Sequence, residues 1–137
     1  MKLFVGAKAI VVFKGKVLLV RESKDYLEGS EVGKWDMVGG RIEPEEEVRV
    51  GLLREVKEEA GLDVVPIKLI DTFDGWPTIQ GERCHVVRLY FLCEAQNDDV
   101  QLSPDHDKYE WVDPKNYGEK VLMNDIKEML DVASELI

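Results

Sequence analysis

The chain is 137 residues long, 45% hydrophobic and 34% charged, with a formal net charge of −10. That length and apolar content suffice for one domain, residues 1–137, burying its own core without disulfide or metal staples. The charge, unrelieved by any basic run, disfavours a nucleic-acid backbone or an anionic membrane as partner, and no segment approaches the length of a membrane span.

In chain order, Val5 to Phe13 is rich in Val, Ile and Ala, and Lys14-Gly15 turns it into Lys16 to Arg21, the pattern of a β-hairpin. Gly6 and Lys8 interrupt the first run and no small-residue cleavage site follows, so it does not read as a secretion signal. Glu22 to Lys34 lacks periodicity and reads as a long loop, and Trp35 to Val38 as a short strand leading into Gly39-Gly40. Trp35 has two readings, a stacking surface for a nucleobase or a core filler.

A helix follows, opened by Pro44, Glu45, Glu46 and Glu47 and closed by Gly61 as a left-handed cap. Val48, Leu52 and Val56, widened by Leu53 and Ala60, form an apolar stripe, while Glu55, Glu58 and Glu59 lie on another flank with Arg54 beside them. Gly51 in mid-helix predicts close backbone contact with a neighbouring strand. The acidic flank is either a solvated face or a converging cluster. Convergence is tolerable only if a proton, an Arg or a metal ion lies among the carboxylates, and oxygen-only donors suit Mg2+ or Mn2+.

Beyond the helix, Leu62 to Phe73 reads as a strand broken at Pro66, and Asp74 to Glu82 as a polar loop carrying Trp76 and Pro77 over the site. Cys84 to Cys93 is apolar on both alternating faces except at His85 and Arg88, the mark of a central strand. Its two cysteines point to opposite faces and are expected reduced, as in a cytoplasmic protein. Arg88 requires an anion, either a structural carboxylate or a substrate phosphate. Asn97 to Lys108 reads as a second loop and Tyr109 to Val112 as a strand. A terminal helix carries Leu122, Ile126, Met129, Leu130, Ala133 and Leu136 on one stripe.

The stretch Gly40 to Leu62 resembles the signature of the Nudix hydrolases, G-x5-E-x7-R-E-U-x-E-E-x-G-U with U aliphatic. Gly40, Glu46, Arg54, Glu55, Val56, Glu58, Glu59, Gly61 and Leu62 fill every specified position, a coincidence expected roughly once in 10^10 windows at average residue usage. Many members carry Gly where Glu45 stands, so an altered turn ahead of the helix is expected here.

The resemblance implies an α/β/α sandwich, with a mixed, curved sheet between the signature helix and a C-terminal helix. It also implies Mg2+, or Mn2+ in its place, held by the Gly39 carbonyl, Glu55, Glu58 and Glu59. Glu55 or Glu58 would orient or deprotonate water, and Glu46 would fix Arg54, which orients the cluster. Their separation of eight excludes a same-face helical pair, so Glu46 must lie in the turn ahead of the helix. Asp105, before His106 and an aromatic strand, is the family-style candidate for an extra ligand or base. Arg21 is a candidate for substrate phosphate against an ordinary surface ion pair, and Trp76 a further candidate for substrate contact.

The implied reaction is metal-dependent hydrolysis of a phosphoanhydride in a nucleoside diphosphate derivative. The foremost reading is a MutT-type nucleoside triphosphate pyrophosphatase releasing nucleoside monophosphate and pyrophosphate. Pro77, fifteen positions after Leu62, resembles a marker of the family's ADP-ribose pyrophosphatases and keeps that alternative. A sensing module without catalysis is the third, although no signature carboxylate is missing. Many relatives are dimers, so the resemblance leaves a homodimer open alongside a monomer.

Overall fold

The computed structural model describes residues 1–24 and 31–137. Its strands are β1 (Lys2–Phe13), β2 (Lys16–Glu22), β3 (Trp35–Asp36), β4 (Gly39–Arg41), β5 (Val64–Gly75), β6 (Thr78–Ile79), β7 (Glu82–Ala95) and β8 (His106–Val112). Its helices are α1 (Val48–Ala60) and α2 (Ile126–Leu136). Among the described residues no helix is long and apolar enough to cross a membrane.

Lys14 and Gly15 both take positive φ, 49° and 77°, the conformation a two-residue turn needs to match the twist of its flanking strands. Val12 therefore pairs Val17, and Phe13 pairs Lys16. Past this short contact β1 and β2 separate. β3 pairs β2 at Val20 and Arg21, and β4 pairs β1 at Gly6 to Lys8, all antiparallel. The chain crosses the gap between β3 and β4, where the Ala9 amide donates to the Val38 carbonyl. β7 runs parallel along β1 and antiparallel to β5, and β8 pairs β2. The sheet is thus mixed, as expected, and β7 is an interior strand.

Each face of the sheet is covered by one helix. Leu52, Val56 and Ala60 of α1 pack with Ala7, Ala9, Val11, Leu18, Val20 and Phe91. Ile126, Met129, Leu130 and Ala133 of α2 pack on the other face with Ile10, Val17, Leu19 and Tyr90. Both cysteines are free and buried. This is the α/β/α sandwich implied by the resemblance.

Several boundaries differ from the sequence expectation. Pro44 and the acids do not open α1. Instead the Glu46 amide donates to the Glu43 carbonyl across a turn with Pro44 and Glu45 at its centre, Glu45 having φ 65°. That is a type II arrangement, which favours glycine at the position Glu45 occupies. Leu53 is not part of the packed stripe and is 38% exposed. Gly51 makes room for side chains, not strand backbone, because a Cβ there would lie 2.6 Å from both Glu46 Oε1 and Ile42 Cδ1.

The expected loop at 74–82 is partly sheet, because β5 continues to Gly75 and β6 pairs β7. Part of the expected loop at 97–108 likewise belongs to β8. Leu122 precedes α2 and bridges Trp35. Of the expected loop at 22–34, residues 25–30 lie outside the described residues.

Candidate active site

The glycine pair is dictated by close approach. Gly39 has φ 149°, and a Cβ on it would fall 2.2 Å from the Ala7 carbonyl oxygen, so the β1–β4 pairing tolerates only glycine. A Cβ on Gly40 would lie 2.5 Å from the Glu55 carboxyl. The missing side chain is therefore the space that Glu55 occupies, tying the first signature glycine to the helix acid fifteen positions later.

Arg54 organises the outer half of the cluster. Its Nε donates to Glu46 Oε2 at 2.7 Å and its Nη2 to Glu46 Oε1 at 2.9 Å, a two-pronged pair. Its Nη1 reaches Glu55 Oε1 at 3.0 Å and Glu58 at 3.4 Å. Glu46 also accepts from the Glu43 amide, so it sits in the turn ahead of α1 as the spacing required. The Arg54 bonds, then that amide, hold the Glu46 carboxyl down to about 2.

The inner half behaves differently. The Glu59 side chain is 13% exposed and its carboxyl is pushed up to about 8, first by burial. The Lys8 charge opposes that rise, and Glu55, Asp36 and Asp105 add to it. Glu55 is raised too, again first by burial, against Arg54 and a hydrogen bond with Glu59. A guanidinium thus offsets the outer acids while burial favours the proton on the inner pair, two of the three ways that crowded carboxylates become tolerable.

Glu58 does not join the inner pair; it is 59% exposed and meets only the edge of Arg54. Among the described residues, no group of three or more His, Cys, Asp or Glu side chains is drawn together tightly enough to hold a metal ion. In this structure Glu55 and Glu59 form an adjacent pair, with Glu58 turned outward on Arg54. The donor set still fits a hard cation: two adjacent, largely buried carboxyls, of which Glu55 is paired with Arg54, in space kept open by Gly40.

A histidine also lies beside the acids. His106 Nδ1 lies 3.4 Å from Glu59 Oε2, an ion-pair distance without the alignment of a hydrogen bond. Burial first, and Lys8 next, hold the imidazole below its usual value in spite of nearby aspartates, which favours the neutral ring. Asp105 adjoins it, close enough to act on the Glu59 charge.

On the α2 face of the sheet, Lys8, Glu31, Lys34, Asp36, Arg88, Tyr90, Met123 and Asn124 enclose a cavity of about 170 Å³. Lys8 donates to Asp36 at 2.8 Å. Burial opposes the Lys8 charge, but Asp36 and Glu59 outweigh it and raise the ammonium. A wider cleft of about 520 Å³ adjoins through Arg88 and Asn124 and is walled by Asp74, Trp76, Pro77, Asp125 and Glu128.

Arg88 has a structural anion, with Nε donating to Asp125 Oδ2 at 2.6 Å, yet it lines both cavities. Trp76 is 51% exposed and stacks on His85, whose Nε2 lies 2.6 Å from Asp74 Oδ2. Trp35 packs on the α2 side of the core with Lys120 over its ring. Arg21 is engaged by Asp107 through two hydrogen bonds of 2.8 and 2.9 Å.

Sequence reasoning missed Lys8, Asp36, His106 and Asp125. A lysine inside an apolar strand was the one available signal, whereas the other three are joined to the site only by packing.

A profile of the NUDIX domain matches residues 3–132. The chain belongs to the Nudix hydrolase family. Within it the chain is MutT-like. It is 32% identical over 114 residues to a nucleoside triphosphatase NudI of Klebsiella pneumoniae strain 342, covering 76% of this chain and 79% of that protein. The crystal structure of a MutT protein from Methanosarcina mazei Go1 superposes with a TM-score of 0.82 at 27% identity, covering 98% of this chain and 95% of that one. An ADP-ribose pyrophosphatase from Streptococcus suis 89-1591 shares the fold, with a TM-score of 0.74 at 22% identity over 97% of this chain and 90% of that one. This Nudix hydrolase therefore carries the family signature on the family fold.

Proposed function

We propose that this Nudix hydrolase cleaves a phosphoanhydride bond of a nucleoside triphosphate, releasing nucleoside monophosphate and pyrophosphate, with Mg2+ or Mn2+ held by the Gly39 carbonyl, Glu55, Glu58 and Glu59. The observation that carries this reading is the juxtaposition, through Lys8, of a largely buried acid pair with a cavity lined by Lys8, Lys34 and Arg88 together with Asp36 and Glu31, the ion-pair partners of the two lysines. An acidic protein needs local cations to hold a polyphosphate, and these side chains supply part of them. The bound dication would supply the rest, neutralising phosphate oxygens and lowering the pKa of water.

The protein's own groups do the positioning. Arg54, fixed by Glu46, holds Glu58 at the rim and Glu55 against Gly40. Glu55 or Glu58 then accepts the proton of the attacking water, with Asp105 as the further candidate base or ligand. Lys8 and Arg88 face the phosphate chain, with Arg21 as an outer contact once released from Asp107. Trp76 offers its exposed ring to the nucleobase, backed by His85. The likeness to the NudI triphosphatase and the MutT protein supports triphosphates over other diphosphate derivatives.

ADP-ribose or a nucleotide sugar is the second reading, favoured by the place of Pro77 on the wall of the wider cleft. A non-catalytic sensor is disfavoured because every signature carboxylate is present. The deciding experiment measures phosphate and pyrophosphate release across nucleoside triphosphates, ADP-ribose, dinucleoside polyphosphates and nucleotide sugars, with and without Mg2+, for the parent and Glu58→Gln. Mg2+-dependent pyrophosphate release from a triphosphate is expected, falling by about 10^2-fold or more in the variant. Exclusive turnover of ADP-ribose replaces the substrate, and equal turnover by Glu58→Gln removes the assignment.

A further inference from the structure

We infer that His106 is a positioning residue for Glu59, bracing one carboxylate oxygen so that the acid is held ready for a divalent cation. The inference rests on the reading of Glu59 as a metal ligand.

The imidazole is in place because the backbone around it is fastened on two sides. The Gln101 amide donates to the Ala60 carbonyl and the Ser103 amide to the Glu59 carbonyl, strapping the segment to the last turn of α1. The His106 amide donates to the Ser103 carbonyl, and the Ser23 amide to the Asp105 carbonyl, while His106 itself pairs Glu22 across β2 and β8. These bonds fix the backbone from which the ring projects.

Its side chain is 10% exposed. Nδ1 is the one buried side-chain nitrogen or oxygen among the described residues with no hydrogen-bond partner. Buried polar atoms are rarely left so, and the anionic acceptor facing this one is Glu59 Oε2 at 3.4 Å. A small shift and turn of the carboxylate brings that oxygen into range and into line with the N–H. A cation drawing on the other oxygen leaves Oε2 free for Nδ1–H, the outer-shell arrangement that fixes a ligand's orientation. A histidine that merely filled space would have no need of a polar atom aimed at a ligand.

The test is Mn2+ binding, read by electron paramagnetic resonance of the free ion, on the full chain with His106→Leu, His106→Asn, Glu59→Gln and the double variant His106→Leu with Glu59→Gln. Asparagine returns an N–H near the position of Nδ1. His106→Leu is expected to weaken Mn2+ binding by about 10- to 100-fold, His106→Asn to stay within about threefold of the parent, and the leucine change to have no further effect once Glu59 is glutamine. Equal weakening by leucine and asparagine, or an undiminished leucine effect in the Glu59→Gln background, assigns the residue to packing and overturns the inference. Should His106→Leu fail to fold, the asparagine variant decides, since a loss of tenfold or more there is equally fatal. Parent-like Mn2+ binding by Glu59→Gln would instead remove Glu59 from the ligand set, a failure of the underlying reading that is visible separately.

Discussion

Raising the pH of the metal-free protein should destabilise it through a single side chain. The Glu59 carboxyl moves from 4.5 to about 8 on folding, so the folded state retains a proton that the unfolded chain has released. Its contribution is complete below 4.5 and is lost as pH rises through about 8. His106 acts with the opposite sign: its folded value lies below 6.5, so stability rises with pH up to that point and is level beyond it. Starting at pH 6.5 therefore sets most of the His106 contribution aside. The remaining decade and a half, at about 1.4 kcal/mol per decade, amounts to about 2 kcal/mol. With an unfolding entropy of about 2.1 cal/mol/K per residue, that lowers Tm by about 7 °C for a chain of this length.

The assay is thermal melting in EDTA at pH 6.5, 7.5 and 8.5, for the parent and Glu59→Gln. The parent should lose about 7 °C over this range, and the glutamine variant, which cannot ionise, should lose little. Saturating Mg2+ should restore most of the loss at pH 8.5, because a cation that binds only the folded state replaces the missing proton. A parent Tm that is level or rising with pH in EDTA would refute the reasoning, as would an identical slope in Glu59→Gln.

Replacing Arg54 with lysine keeps the charge but loses the two-pronged pair with Glu46, and it should lower kcat by about 10- to 100-fold while leaving KM within a few-fold; steady-state kinetics at saturating Mg2+ check this, and a parental kcat would count against the orienting role. Glu45→Gly should raise stability by about 1 kcal/mol in urea unfolding, since glycine adopts the positive φ of this turn without the side-chain penalty. A destabilised variant would mean that Glu45 makes a contact worth more than its strain.

The sequence alone determined the signature helix and its left-handed stop at Gly61, because these depend on short spacings and on residue types with few alternatives; the Glu46–Arg54 pairing came from the family resemblance, and spacing then fixed where Glu46 must lie. A separation of eight with no shared helical face leaves the preceding turn as the place for Glu46, and that is where it lies. The same local logic succeeded for the β1–β2 hairpin and for β7 as an interior strand, where turn chemistry and two apolar faces speak directly.

What tertiary structure decided is how the acids divide. Periodicity puts Glu55, Glu58 and Glu59 on one flank, but depth of burial separates them: Glu59 is largely buried beside His106 at the start of β8, while Glu58 stays at the surface beside Arg54. The partners of Arg88, Lys8 and Glu59 come from residues 28 to 47 positions away, and neither propensity nor spacing carries information over such distances. Solvent exclusion by the surrounding packing, which no local pattern encodes, sets the proton affinity of the site and with it the readiness to exchange a proton for a cation.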